Sequence, residues 1–158
     1  MIDELELSLK SAVTDVVKTM LSQDVRSIPL DKRFLSDGQH LASCVGFIGE
    51  MTGVIYLYAA SSHASRMTAA LLGISEVEIE GDNMVNDSMG ELTSMVVGKF
   101  KAALGEHGHA CVLTIPSIVR GNSFSIGAVS SITRRVLCFR CGETDNLILE
   151  LLIKPSEH

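Results

Sequence analysis

Between Asn83 and Gly105 the apolar residues recur with the period of a helix, and this stretch constrains the fold more than any other. Wound at about 100° per residue, Val85, Met89, Leu92, Val96, Phe100 and Ala103 fall on one stripe, which other elements must cover. Asp87, Glu91, Ser94, Gly98 and Lys101 fall on the opposite side, at spacings i, i+4, i+7, i+11 and i+14. Side chains three or four residues apart are neighbours on a helix surface, so Asp87, Glu91 and Ser94 form a continuous polar strip. Gly98 continues the strip without a side chain, which lets another molecule approach closely. Asp82, Asn83 and Asn86 are candidate N-caps, and Asp87 places negative charge near the positive end of the helix dipole. Gly105 is the expected stop, with Lys99 and Lys101 in the last turns. Gly90 and Gly98 each cost about 1 kcal/mol relative to Ala inside a helix, which a packing or docking role would justify. Pattern alone assigns a polar helix face no more than solvation.

The segments around it supply the cover. Residues from Asp3 to Leu21 read as a second amphipathic helix, with Leu5, Leu9, Val13, Val16, Val17 and Met20 on its apolar stripe. Ser22 to Gly38 is a connector with only a weak strand signal. Leu41 to Ile48 and Val54 to Ala59 are β-branched and aromatic runs joined by Gly49–Gly53, and predict a hairpin. Ser61 or Ser62 caps a helix from His63 to Leu72 with stripe Met67, Ala70, Leu71 and Ile74, and Gly73 ends it. Glu76 to Asp82 is an acidic link. After Gly105 the pattern turns to strand: Ala110 to Val119, interrupted by Pro116, then Ser123 to Thr133, Arg134 to Cys141, and Leu147 to Ile153 after the Gly142–Asn146 loop. Lys154 to His158 reads as a tail. This order predicts one α+β domain over residues 1–158 with a largely antiparallel sheet.

Composition excludes several classes of function. The net charge is −6, from 13 basic and 19 acidic residues, and aromatic residues make up only 4%. No basic stripe interleaved with aromatics is present, which argues against nucleic acid as a partner. No apolar run reaches the ~18–20 residues that span a bilayer. Met1 to Glu6 is acidic and lacks the order of a signal peptide, so the expected location is cytoplasmic, with no membrane partner. The Cys138–Cys141 pair is a lone CxxC whose members point to opposite faces of a strand, and reads as free thiols rather than a zinc or redox motif. His107-x-His109 lacks a carboxylate partner in a recognisable pattern, so no metal site is assigned. No Gly-x-Ser-x-Gly elbow, Walker A loop or dinucleotide fingerprint occurs.

Asp87-x-x-x-Glu91-x-x-Ser94, followed after 21 residues by Pro116, resembles the signature of the CheC/CheX/FliY family of chemotaxis phosphatases. That signature reads Asp or Ser, three residues, Glu, two residues, Asn, and a downstream Pro. The chain is most similar to the CheX branch. The likeness extends through Gly90-Glu91-Leu92, Gly98-Lys99-Phe100, Ile115 to Gly121, and Val45 to Tyr56. One position departs: Ser94 stands where the family has Asn.

The resemblance implies a CheC-like fold with helices packed on both faces of the sheet, and a homodimer formed through strand pairing. It also implies a CheY-type response regulator as partner. In that family the helix docks on the phosphorylated regulator, the Asn carboxamide orients the attacking water, and the Glu pairs with a basic residue beside the phosphoryl group. Magnesium belongs to the regulator, so no cofactor is expected in this chain. Carried over by position, Glu91 and Ser94 are the catalytic candidates, and Asp87, Gly98, Lys101 and Pro116 the docking candidates. Serine is two heavy atoms shorter than asparagine and offers a hydroxyl instead of an amide. An orienting group misplaced by about 1 Å can lose about a hundredfold in rate. Three functions are therefore expected in turn: a CheX-like phosphatase, a non-catalytic family member that binds a regulator or other chemotaxis component, and a scaffolding dimer with a merely solvated helix face.

Overall fold

A computed structural model describes residues 2–31, 38–122, 124 and 131–155. Helix α1 (Ile2–Leu21) begins with Asp3 and Glu4 in its first turn, where the helix dipole favours negative charge. A short strand, β1 (Val25–Ile28), lies in the connector. Strands β2 (His40–Gly49) and β3 (Met51–Ala60) form the expected hairpin, with only Glu50 between them. Helix α2 (Ser61–Leu72) follows without a gap. Its N-cap is Ala60, with no side-chain cap, so the expected serine cap is replaced by a backbone bond from Ser61 N–H to the Gln39 carbonyl at 2.9 Å. Gly73 closes α2 in the left-handed region, as its sequence predicts. The acidic link contains a 3-10 turn, Glu76–Glu78, held by Ser75 and Glu78 in a capping box.

The long helix α3 spans Asp82–Glu106. Its N-cap is Gly81 with no side-chain bond, so none of the polar candidates caps it. Gly105 lies inside the helix. The backbone turns away instead at Gly108, whose φ of 81° is the left-handed conformation glycine tolerates. Four strands follow: β4 (Cys111–Leu113), β5 (Ser117–Gly121), β6 (Thr133–Cys141) and β7 (Asp145–Pro155). The strand expected over Ser123–Thr133 falls largely outside the described residues. The last strand runs further than expected, because Lys154 and Pro155 pair with Thr52 and Met51. The turn before it shrinks to Gly142–Thr144, since Asp145 pairs with Cys141.

All pairings are antiparallel, in the order β1-β6-β7-β3-β2, with β4 and β5 both on the outer edge of β2. Alternate residues on each strand point to opposite faces. Leu41, Val45, Phe47, Ile55, Leu57 and Leu149 face a core shared with all three helices. The α+β class and antiparallel sheet are those expected, but α1, α2 and α3 all pack on this one face. The opposite face carries Ala42, Tyr58, Cys138 and Ile148, with Phe124 stacked edge-on at 5.7 Å from Tyr58. Buried Glu150 sits there between the Tyr58 hydroxyl, which donates at 2.7 Å, and Arg134 Nε at 2.8 Å. Cys138 and Cys141 lie in different clusters on opposite faces, so the CxxC spacing does not converge on one ligand. Burial pushes the Cys141 thiol up to about 12, with the Asp145 carboxylate adding to it.

Candidate functional site

The rotation of α3 about its axis decides which residues it offers to a partner. Two contacts set it. Phe100 meets Phe47 of β2 edge-on, with ring centroids 5.3 Å apart. Full burial of each ring contributes about 1.5–3 kcal/mol. Closer to the start of the helix, the Thr93 hydroxyl lies 2.7 Å from both Ser43 Oγ and the Met89 carbonyl. The Ser43 hydroxyl in turn reaches Met89 O at 3.3 Å. Both side chains are buried, so this is a satisfied polar tie between helix and sheet.

With those anchors, Val85, Met89, Leu92, Val96 and Phe100 face the core as their spacing predicts. Ala103 is only half-buried and Leu104 takes the buried place beside it. In α2 the expected stripe member Ala70 is exposed, and Ala69 is buried instead.

The polar strip of α3 lies at the surface. Asp87, Glu91 and Lys101 are exposed, and Ser94 and Gly98 are half-buried. Among the described residues Asp87 and Glu91 make no hydrogen bond or ion pair. A side chain at Gly98 would meet nothing within 4 Å, so the helix backbone there is open to an approaching surface.

Pro116 stands in the gap between β4 and β5. A Cβ built on Gly90 would lie 3.2 Å from Pro116 Cβ and 3.4 Å from its Cγ. That is tighter than ordinary contact, so Gly90 lets the proline ring sit against α3 immediately beside Glu91. Its cost in helix propensity is offset by this packing. Arg120 of β5 reaches across the same seam. Its Nε and Nη2 donate to Asn86 Oδ1 at 3.2 and 2.7 Å, and its Nη1 lies 3.7 Å from Asp82 Oδ1. Asn86, a cap candidate by sequence, is thus a brace to β5. Gly90, Asn86 and Arg120 were not singled out by spacing as site residues. Arg120 lies in the run Ile115–Gly121, but which helix residue it meets depends on how β5 registers on β2. In the back half, Lys99 Nζ pairs with Asp15 of α1 at 2.9 Å.

The other polar candidates disperse. His107 and His109 follow the end of α3 rather than occupying a strand. His107 Nε2 lies 3.3 Å from Glu4 and His109 Nδ1 3.0 Å from Glu50, so they point to different partners. Among the described residues no group of three or more His, Cys, Asp or Glu side chains is arranged to hold a metal ion. A cavity of ≈ 100 Å³ where β2 begins and β3 ends is lined by His40, Tyr58, His63 and Asp145. His63 Nδ1 lies 3.2 Å from the Asn146 carbonyl, and its Nε2 has no hydrogen-bond partner among the described residues, with Asp145 Oδ2 at 3.9 Å. Burial lowers the His63 pKa, with the Asp145 carboxylate opposing. Arg66 already engages both Asp145 oxygens, which leaves that carboxylate little capacity for a cation.

The architecture defines a class before it defines a family. It matches the chemotaxis protein CheX from Desulfovibrio desulfuricans with a TM-score of 0.79 at 23% identity, over 96% of this chain and 99% of that one. CheX from Vibrio vulnificus gives 0.79 at 22%, over 96% and 97%. The CheX of a CheX–CheY–BeF3–Mg2+ complex from Borrelia burgdorferi gives 0.75 at 17%, over 94% and 97%. These likenesses establish a CheX-type fold along nearly the whole chain. Comparison with curated protein sequences finds no match. Residues 41–140 match the family described as chemotaxis phosphatase CheX, and the chain belongs to that family. No helix among the described residues is long and apolar enough to cross a membrane.

Proposed function

We propose that this protein docks the exposed face of α3 on a phosphorylated CheY-type response regulator in the cytoplasm and promotes hydrolysis of its aspartyl phosphate. The observation that carries this reading is Glu91: an exposed carboxylate with no partner of its own among the described residues, held beside the Gly90–Pro116 contact. Such a carboxylate is available to pair with a basic residue beside the phosphoryl group. The CheX–CheY complex of the Borrelia relative supports the choice of partner.

Aspartyl-phosphate hydrolysis needs a positioned water and charge stabilisation rather than covalent chemistry from the phosphatase. The chain's own contribution is orientation: Glu91 fixes the docking and the Ser94 hydroxyl is the polar group one turn further along the strip. Asp87, Gly98 and Lys101 extend the contact surface, and Pro116 walls it. The magnesium that accompanies such a phosphate is the regulator's. Ser94 also supports a second reading, docking without fast hydrolysis, because its hydroxyl ends two heavy atoms short of a carboxamide. A homodimer belongs to the proposal too. It is supported by Ile48 and Val112, which pair in register at the β4 edge and are 59% and 70% exposed.

The test is the decay of a phosphorylated CheY-type regulator from the same organism, with and without the protein. Accelerated decay that disappears in Glu91→Ala supports the phosphatase. Unchanged decay with micromolar binding supports docking alone. Unchanged decay without binding rejects both.

A further inference from the structure

Strands β4 and β5 are one edge strand broken by a bulge. Along β2 the registered pairs are Phe47 with Leu113 and then Cys44 with Ser117. Between them β2 spends Val45 and Gly46, whereas the edge strand spends Thr114, Ile115 and Pro116. One extra residue is the definition of a β-bulge, and it reverses which residues face inward beyond it. Before the bulge Cys111 and Leu113 face the helices. After it Ile118 does, with Pro116 against Gly90 and Arg120 reaching Asn86. Without the bulge those three side chains would point to the far side of the sheet. The wall beside Glu91 therefore depends on where one residue is inserted.

A single side chain marks that position. Thr114 N–H donates to the Gly46 carbonyl at 2.9 Å, an ordinary ladder bond. The return bond is not backbone to backbone: Gly46 N–H donates to Thr114 Oγ1 at 2.8 Å. The threonine hydroxyl oxygen takes the place of the carbonyl that the bulge carries out of register. Its proton points to the Ile115 carbonyl at 3.4 Å, leaving a lone pair for Gly46. A Cβ on Gly46 would lie 3.3 Å from both Thr114 Cγ2 and Oγ1, so glycine makes room for this side chain.

We infer that Thr114 and Gly46 form a register lock that positions Pro116 and Arg120 under α3 and so sets the geometry of the Glu91–Ser94 face. Thr114 is a positioning residue, acting through Pro116. The inference rests on the proposed docking only for its effect on the regulator; the lock itself is a property of the chain.

The experiment compares Thr114→Val, which keeps the shape and loses the acceptor, with Thr114→Ser, which keeps the acceptor. Three quantities are read: amide hydrogen exchange at Gly46 and Ile118, the melting temperature, and affinity for a beryllofluoride-activated CheY-type regulator. Thr114→Val speeds Gly46 exchange by roughly tenfold and weakens regulator binding by roughly fivefold, as loss of one hydrogen bond implies. Its melting temperature falls by no more than about 6 °C. Thr114→Ser restores exchange and affinity. Wild-type exchange in Thr114→Val, or a Thr114→Ser variant as impaired as Thr114→Val, overturns the lock. Should Thr114→Val not fold, Gly46→Ala replaces it, because its new Cβ crowds the same hydroxyl and is expected to speed exchange of the amide at position 46. Should the wild type bind no regulator, the docking proposal fails, and the exchange data alone decide for or against the lock.

Discussion

The two halves of α3 carry the same polar strip but are held in different ways. From Asp82 to Ser94 the helix is braced by long-range contacts: Arg120 to Asn86, Pro116 to Gly90, and the buried Thr93–Ser43 tie. From Met95 to Glu106 it shares Phe100 with β2 in the core, but among the described residues its surface is tied only by the exposed Lys99–Asp15 pair and is open at Gly98. Asp87, Glu91 and Ser94 all lie in the braced half, and Gly98 and Lys101 in the open one. Orientation of a water or an ion pair tolerates little misplacement, whereas a contact surface tolerates more. The division is that expected if the first half orients and the second half merely receives a partner.

The largest effect is expected at the departure from the family pattern. Ser94→Asn restores the longer carboxamide on the braced half, and is predicted to speed regulator dephosphorylation by about a hundredfold, near 2.7 kcal/mol of barrier. Single-turnover decay of the phosphorylated regulator reads it. No gain would mean that the braced half does not present residue 94 to the phosphoryl group.

Next come the two glycines, whose surroundings differ. Gly90→Val forces a branched side chain into the Pro116 contact and is expected to destabilise by about 1–3 kcal/mol through overpacking, read by urea denaturation. Gly98→Ala enters open space and is expected to stabilise by about 0.5–1 kcal/mol through helix propensity. The same Gly98→Ala change is expected to weaken regulator binding severalfold, so that stability and affinity move in opposite directions. Equal effects of the two glycine changes on stability would erase the distinction between the halves. The smallest effect is predicted for Lys99→Ala, within about 0.5 kcal/mol, because an exposed ion pair is screened by water.

Much of this arrangement is legible in the chain before folding, and the remainder is not for definable reasons. The α3 faces follow from period, because the helix spans several repeats of its pattern, and the β2–β3 hairpin follows from its β-branched and aromatic runs joined at Gly49–Gly53. Strand β1 has only four residues, too few to show alternation, and it gains its place by pairing with Cys138–Cys141 of β6. The sequence points to Gly105 as the end of α3, but a glycine stops a helix only where the backbone turns left-handed, and that happens at Gly108. Pro116 was visible as an interruption of a strand, while its contact with Gly90 was not. That contact depends on a one-residue bulge, which exists only relative to the register of β2. Spacing within one segment carries no such information. For the same reason Glu91 and Ser94 could be placed on one face from the sequence, while the brace from Arg120 could not.

We propose the Glu91 face of α3 as the surface that docks the regulator. It is tested most directly by titrating a beryllofluoride-activated CheY-type regulator from the same organism against the wild-type protein and Glu91→Lys. Reversing this exposed charge is expected to change stability by no more than about 0.5 kcal/mol, which a melting curve checks. Docking through this face predicts micromolar affinity for the wild type and a loss of at least about tenfold in the variant, as expected when an attractive interfacial charge becomes a repulsive one. Equal affinity of the two proteins would contradict it, and would assign the regulator to another surface.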